Sequence, residues 1–305
     1  MSTTRVLQSV VCLGLAACSS GRGVHGRTGG GTDGSTVGTD LGTTPGGDGS
    51  VVGDGCSDSA KLVYVVDQDS TLYSFDVPTL TFKTVGTLGC NASSGATPFS
   101  MSVDRSATAW VLYNSGEMFQ VSTKDASCQA TSHQTGQGGL ENFGMGFASD
   151  ASGSTSETLY VAGGGASAAG SGSTSTFAKM TVPGLSASSV GTVQGWPELT
   201  GTGKGELWGF FPSATVTPRV AQLDKSTGAD GTVYPLSSLS GTPIAWAFAF
   251  WGGDFYVFLQ KDSDFSTTVY KVNGTTGVLT TAQSDTGKII VGAGVSTCAP
   301  VGPIL

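Results

Sequence analysis

The feature that most constrains this chain is an internal repeat of strand-like segments. Alternating apolar patterns begin near Phe99, Phe143, Glu198, Ala245 and Ile289, at steps of 44, 55, 47 and 44 residues. A period of two is the mark of a strand with one face buried. Each of the first four is followed by a second β-like run, at 110–113, 159–162, 207–211 and 255–259. A third run of related form recurs at 71–76, 117–121, 219–224 and 268–272, and turn residues such as Lys225-Ser226-Thr227-Gly228 and Asn273-Gly274-Thr275-Thr276-Gly277 lead into a fourth. Glycines at those turns supply the positive φ that a tight hairpin needs. Four short strands about every 44 residues describe the blade of a β-propeller. The long second step is explained by residues 163–176, a run of Gly, Ala, Ser and Thr that reads as one loop.

Composition agrees with an all-β, turn-rich chain. Glycine numbers 48 and charged residues make up 12% of the 305, against roughly a quarter in ordinary soluble domains. The Lys/Glu surfaces of helices are therefore missing.

The N-terminus has a different grammar. Arg5 is the sole charge in residues 1–20, and 6–15 form a mostly apolar run that is too short to span a bilayer. Small residues follow, which is the layout of a secretory signal peptide over 1–17. The run closes on Leu15-Ala16-Ala17-Cys18, and here the chain resembles bacterial lipoproteins, whose lipobox is an apolar residue, two small residues and a cysteine. The resemblance implies that the Cys18 thiol takes a diacylglycerol, that the chain is cut before it, and that the new amino group is acylated. Several acyl chains on one residue exceed the two-signal threshold for stable anchoring. Ser19, where Asp would signal retention, is compatible with sorting to the outer membrane or cell surface. Residues 18–55 are then a lipidated tether: mostly Gly, Ser, Thr and Asp, they bury too little to offset the entropy of ordering. As a Gly-rich coil the tether reaches about 35 Å. The remaining 56–305 are the propeller domain.

Counting units shows how the ring closes. The first unit opens at 61–66 with a segment that matches the second strand of the others, whereas 289–295 match an innermost strand with nothing after it. The C-terminal strand is thus expected to complete the N-terminal blade, which gives five blades and no open edge between first and last. With Cys12 in the removed peptide and Cys18 lipidated, Cys56, Cys90, Cys128 and Cys298 remain, an even number in a compartment that permits disulfides. Cys298 ends the orphan strand and Cys56 precedes the strand that it joins, so Cys56 is expected to pair with Cys298. By remainder Cys90 pairs with Cys128, although the register does not set these two side by side.

The segments starting at Phe99 (FSMSVD), Phe143 (FGMGF), Glu198 (ELTGTG), Ala245 (AWAFAFWGG) and Ile290 (IVGAGVSTC) are similar to those of uncharacterised secreted bacterial lipoproteins with a propeller-like repeat domain. The similarity covers most of 56–300. It implies the fold and the cell-envelope address, and no activity.

Charge and motifs exclude more than they select. With 14 Lys+Arg against 22 Asp+Glu, the net charge of −8 disfavours nucleic acid as a partner. Two histidines leave little for a His-based zinc site or a Ser/His/Asp triad. No G-x-S-x-G, Walker loop or H-E-x-x-H occurs. No cofactor is called for, and no catalytic residue is identifiable. Calcium has weak support: Asp33, Asp40, Asp48 and Asp54 are irregularly spaced, and the pairs Asp67/Asp69 and Asp262/Asp264 suit turn-capping better than a metal. Lone His133 reads as a surface residue. Propeller ligands sit at the mouth of the central channel, on loops that enter the innermost strands; here those loops offer Pro98, Glu141, Asn142, Trp196, Glu198, Trp246 and Lys288. Glu141 and Glu198 would make a carboxylate pair, with Trp196 and Trp246 as stacking platforms for a sugar. The competing expectation is that the acids are solvated and the tryptophans pack between blades, since Ala245, Ala247 and Ala249 alternate with Trp246, Phe248 and Phe250. The sequence therefore points to a membrane-anchored lipoprotein that presents a disulfide-stapled propeller as a binding module for a protein or glycan. The alternative is an extracytoplasmic hydrolase, lyase or lactonase with acids at the channel mouth.

Overall fold

The computed structural model describes residues 55–165 and 174–303, all within the compact unit Gly47–Leu305. Residues 1–54, where the signal peptide, Cys18 and the tether with its four aspartates are expected, and residues 166–173 lie outside the described residues.

Twenty strands form five four-stranded antiparallel sheets. The first sheet begins with β1 (Val63–Asp67), β2 (Thr71–Asp76) and β3 (Thr81–Thr87). The second is β4 (Pro98–Val103), β5 (Thr108–Tyr113), β6 (Met118–Ser122) and β7 (Cys128–Ala130). The third holds β8 (Asn142–Ser149), β9 (Glu157–Gly164), β10 (Thr174–Met180) and β11 (Ala187–Gln194). The fourth has β12 (Glu198–Gly201), β13 (Leu207–Phe211), β14 (Arg219–Leu223) and β15 (Asp230–Pro235). The fifth has β16 (Pro243–Trp251), β17 (Asp254–Lys261), β18 (Thr268–Asn273) and β19 (Leu279–Gln283). The last strand, β20 (Ile290–Val295), returns to the first sheet, in the order β20-β1-β2-β3. Val63 pairs with Val295 and Val65 with Ala293. The protein is a five-bladed β-propeller whose C-terminal strand closes the ring.

Short polar side chains make the turns. Asp76, Asp125, Asp224 and Asn273 follow the third strands of four blades, and each carboxylate or amide oxygen accepts the backbone N–H two or three residues on. Asp104 does the same between β4 and β5, accepting from Ser106 and Thr108 N–H and from the Trp110 indole at 2.9 Å. Asp67 repeats the device with Asp69 and Thr71 N–H and the Tyr73 hydroxyl. Asp264 accepts the Lys261 N–H. Both D-x-D pairs thus contain an aspartate spent on a local turn, as Asp residues in loops commonly are.

The core is five cores, one between each pair of blades. Val63, Val65 and Phe75 of the first blade meet Ala247, Ala249 and Phe258 of the fifth. On the other face of β16, Phe248 and Phe250 pack with Phe210 and Trp208 of the fourth blade. Small side chains therefore face one neighbour and large ones the other, the wedge that a tight ring requires. Equivalent clusters join the first and second blades, the second and third, and the third and fourth. Near the axis there is no room for a side chain at some positions: a Cβ on Gly144 would collide with the Pro197 carbonyl oxygen, and one on Gly146 would lie 2.8 Å from the Leu199 carbonyl carbon. The outer strands β3, β11 and β15 are largely exposed, and Lys83 in β3 and Pro235 at the end of β15 discourage edge-to-edge pairing.

Each innermost strand is also a sheet edge with unpaired N–H groups, and a neighbouring blade supplies the acceptors. Ser102 Oγ accepts Phe147 N–H at 3.2 Å, and Thr200 Oγ1 accepts Phe250 N–H at 3.1 Å. Disulfides join Cys56 to Cys298 and Cys90 to Cys128. The first lies beside the Ser296 hydroxyl, which donates to the Ala60 carbonyl at 2.6 Å, so the two ends of the domain are held by covalent and polar links together. The second ties the segment after β3 to the outer strand of the next blade.

Three details differ from the sequence reading. β9 extends through Gly164 and β10 starts at Thr174, so both ends of the 163–176 segment are strand, while 166–173 lie outside the described residues. β10 is also the third strand of its blade, which the repeat did not reveal. His133 is half-buried, not a surface residue: its ring lies edge-on to Phe143 and its Nδ1 meets Gln137 Nε2 at 2.9 Å.

Candidate functional site

The innermost strands begin at one end of the channel, and four of the five starts open onto a common cavity of about 390 Å³. Pro98, Glu198, Ala245 and Ile289 come from the entries to β4, β12, β16 and β20. That volume lies in the range of small-ligand pockets, roughly 300–1,000 Å³. Trp246, half-buried, lines it while also packing on the core between the fourth and fifth blades.

Glu198 is the chemically unusual member. It is 3% exposed, and its Oε2 lies 2.8 Å from the Ser100 hydroxyl. Burial pushes its carboxyl well above the ordinary range, against the opposing pull of bonds from Ser100 and the Met145 backbone. Those bonds span three blades, and through the Met145 backbone Glu198 caps a free strand edge as Ser102 and Thr200 do.

The other expected mouth residues are placed elsewhere. Glu141 is exposed in the turn before β8 and does not line the cavity, so no carboxylate pair spans it. Asn142 is buried with Oδ1 unbonded among the described residues, and Trp196 is buried with Nε1 likewise unbonded, its ring against Gly164. Lys288 sits over the rings of Tyr73 and Phe82, at 5.1 and 5.5 Å, and not at the mouth. Among the described residues no group of three or more His, Cys, Asp or Glu side chains is placed to hold a metal ion.

The structure adds residues that the sequence reading passed over. Gln68, Asn114 and Gln260 bring three primary amides to the cavity, which Phe99 and Ile244 also line. Gln68 and Gln260 border the turns between the second and third strands of their blades, and Asn114 lies within one. That end of each blade faces the mouth too, as the starts of the innermost strands do. The Asn114 amide is braced by Thr97, whose N–H it accepts at 3.1 Å, and Gln260 Nε2 donates to the Asp264 carbonyl at 3.2 Å.

The far end of the channel is wider and differently built, a depression of about 790 Å³ flanked by the Cys56–Cys298 disulfide, Arg105 and Lys204. Arg105 Nη1 donates to Thr297 Oγ1 at 3.1 Å, and the Thr297 hydroxyl donates to Glu157 Oε2 at 2.7 Å. Burial raises the Glu157 carboxyl, opposed by bonds from Thr297 and the Arg105 backbone. This network clamps the closure.

No protein-family model matches the chain, and no curated protein matches it. Solved structures do resemble it. A protein of unknown function from Bacteroides caccae is 14% identical, with 72% of this chain and 70% of that one covered and a TM-score of 0.38. TolB from Acinetobacter baumannii is 12% identical over 73% of this chain and 52% of its own, with a TM-score of 0.43. A GH43 β-1,3-galactosidase is 10% identical, covering 63% and 50%, with a TM-score of 0.43. Likenesses of this size assign no activity.

Proposed function

We propose that the protein is an extracytoplasmic lipoprotein, anchored through Cys18, whose propeller binds a ligand at the channel mouth. The observation that carries the binding assignment is the 390 Å³ mouth cavity with a single buried carboxyl, Glu198, in its lining. Acid/base hydrolysis in general uses two groups with separated pKa values about one reacting bond. Glu141, the expected second acid, stands outside the cavity. A binding role needs concavity, apolar surface and a few convergent polar groups, and the mouth has all three.

Two experiments test the proposal. Replacement of Cys18 by Ala in the full chain is expected to move the protein from the membrane to the soluble fraction; retention in the membrane would refute the anchor. A thermal-shift panel of metals, glycans and small carboxylates on the full chain tests the mouth. A ligand present at about 100 times its Kd adds about 2.7 kcal/mol. The shift should vanish in Ile244→Arg, a change at an exposed mouth residue. A shift indifferent to that substitution would place the site elsewhere.

A further inference from the structure

We infer that the channel mouth takes an uncharged sugar residue, held between the Trp246 and Phe99 rings and the amides of Gln68, Asn114 and Gln260. This rests on the mouth being the binding site, as proposed above, and names what it binds.

The lining excludes other classes in turn. No Lys or Arg borders the cavity, so an anionic ligand would lose its hydration with no cation to replace it. The chain's net charge of −8 adds a repulsive field. A purely apolar ligand, such as an aliphatic peptide side chain, would strip water from three amides and the Thr97 hydroxyl without replacing its bonds. Leaving such groups unpaired is costly. A cation would have to be paired by Glu198, whose carboxyl lies behind the strand starts at 3% exposure, bonded to Ser100.

A neutral sugar satisfies each demand. Its ring has C–H faces for an aromatic side chain and a rim of hydroxyls that both donate and accept. Primary amides do the same, with two donors and an acceptor each. Gln68 is exposed, and its side chain makes no hydrogen bond to a described residue, so it is available to a ligand. Asn114 is held in place by its two bonds to Thr97, at 3.1 and 3.2 Å, which leaves the second amide hydrogen and an acceptor lone pair already oriented. Half-buried Trp246 and Phe99 are fixed on β16 and β4, rigid elements and not loops.

The test is saturation-transfer NMR on the full chain with the methyl β-glycosides of glucose, galactose and N-acetylglucosamine, each at about 10 mM, a concentration that populates millimolar complexes. Glucuronate and N-acetyl-leucine amide serve as the charged and apolar probes. At least one neutral glycoside should bind, with glucuronate weaker by tenfold or more, and Gln68→Ala should weaken the glycoside by a similar factor. If none of the three glycosides binds, or if binding ignores both Gln68→Ala and Ile244→Arg, the inference is overturned. Binding of the leucine amide that is lost in Ile244→Arg, with no glycoside bound, would overturn the sugar while leaving the mouth as the site. Should every bound probe ignore the mouth variants, the mouth reading falls as well.

Discussion

Glu198 shows how one side chain can be structural and still define a site. Its carboxyl caps the edge of β8 through the Met145 backbone and accepts the Ser100 hydroxyl of the second blade. Glu198→Gln keeps an acceptor and a donor there and should leave the unfolding midpoint nearly unchanged at pH 5. Glu198→Ala leaves those partners unpaired and is expected to cost about 1–3 kcal/mol. The carboxyl also makes stability depend on pH. Its folded pKa is raised above the unfolded 4.5, so the folded chain holds a proton that the unfolded chain has released. Stability from this group is fully present below 4.5 and is lost as pH rises through the folded value. His133 works oppositely: burial lowers its pKa from 6.5, so its share is lost as pH falls through the folded value. Denaturant curves for wild type and Glu198→Gln across pH 4 to 8 isolate the first effect, and the variant should gain on the wild type as pH rises. A constant difference would show that Glu198 does not change protonation on folding.

At the scale of the element, the innermost strands are built from small residues because backbones meet there. Gly144 in β8 faces the chain entering β12 without space for a methyl group. Gly144→Ala should therefore destabilise by about 1–3 kcal/mol through overpacking. Gly89→Ala, with nothing within 4 Å of its Cβ position, is the matched control and should fall within about 0.5 kcal/mol of wild type. Urea midpoints measure both. Equal costs would mean that the close approach at Gly144 is not what is being read.

For the whole molecule, closure is the decisive event. The Cys56–Cys298 bridge links residues 242 apart in sequence, against 38 for Cys90–Cys128. In the chain-entropy account the loops are worth about 5.5 and about 4 kcal/mol. The double replacement Cys56→Ser with Cys298→Ser should accordingly lower stability by about 1.5 kcal/mol more than Cys90→Ser with Cys128→Ser, and it also frees β20 to leave the ring. Equal losses in equilibrium unfolding would argue that Arg105, Thr297 and Glu157 hold the ends without the bridge.

The blade count, the exchanged C-terminal strand and the all-β class were legible in the sequence because they follow from local alternation and turn chemistry repeated at a near-constant step. Where a strand opens on Thr and Ser, as β10 does, alternation is too faint and residues 174–176 read as loop; only their pairing across the sheet makes them strand. The mouth was legible in part. Glu198 and Trp246 were found because they start innermost strands, but the same logic proposed Glu141, Asn142, Trp196 and Lys288, which point to cores, rings or solvent. Gln68, Asn114 and Gln260 carry no motif and lie far apart in the chain. Period and turn residues are properties of neighbours in sequence, so the sequence by itself determined the blades and their order. Which side chains converge on the axis depends on the rotation between blades and on side-chain direction, and those were decided only when the ring closed.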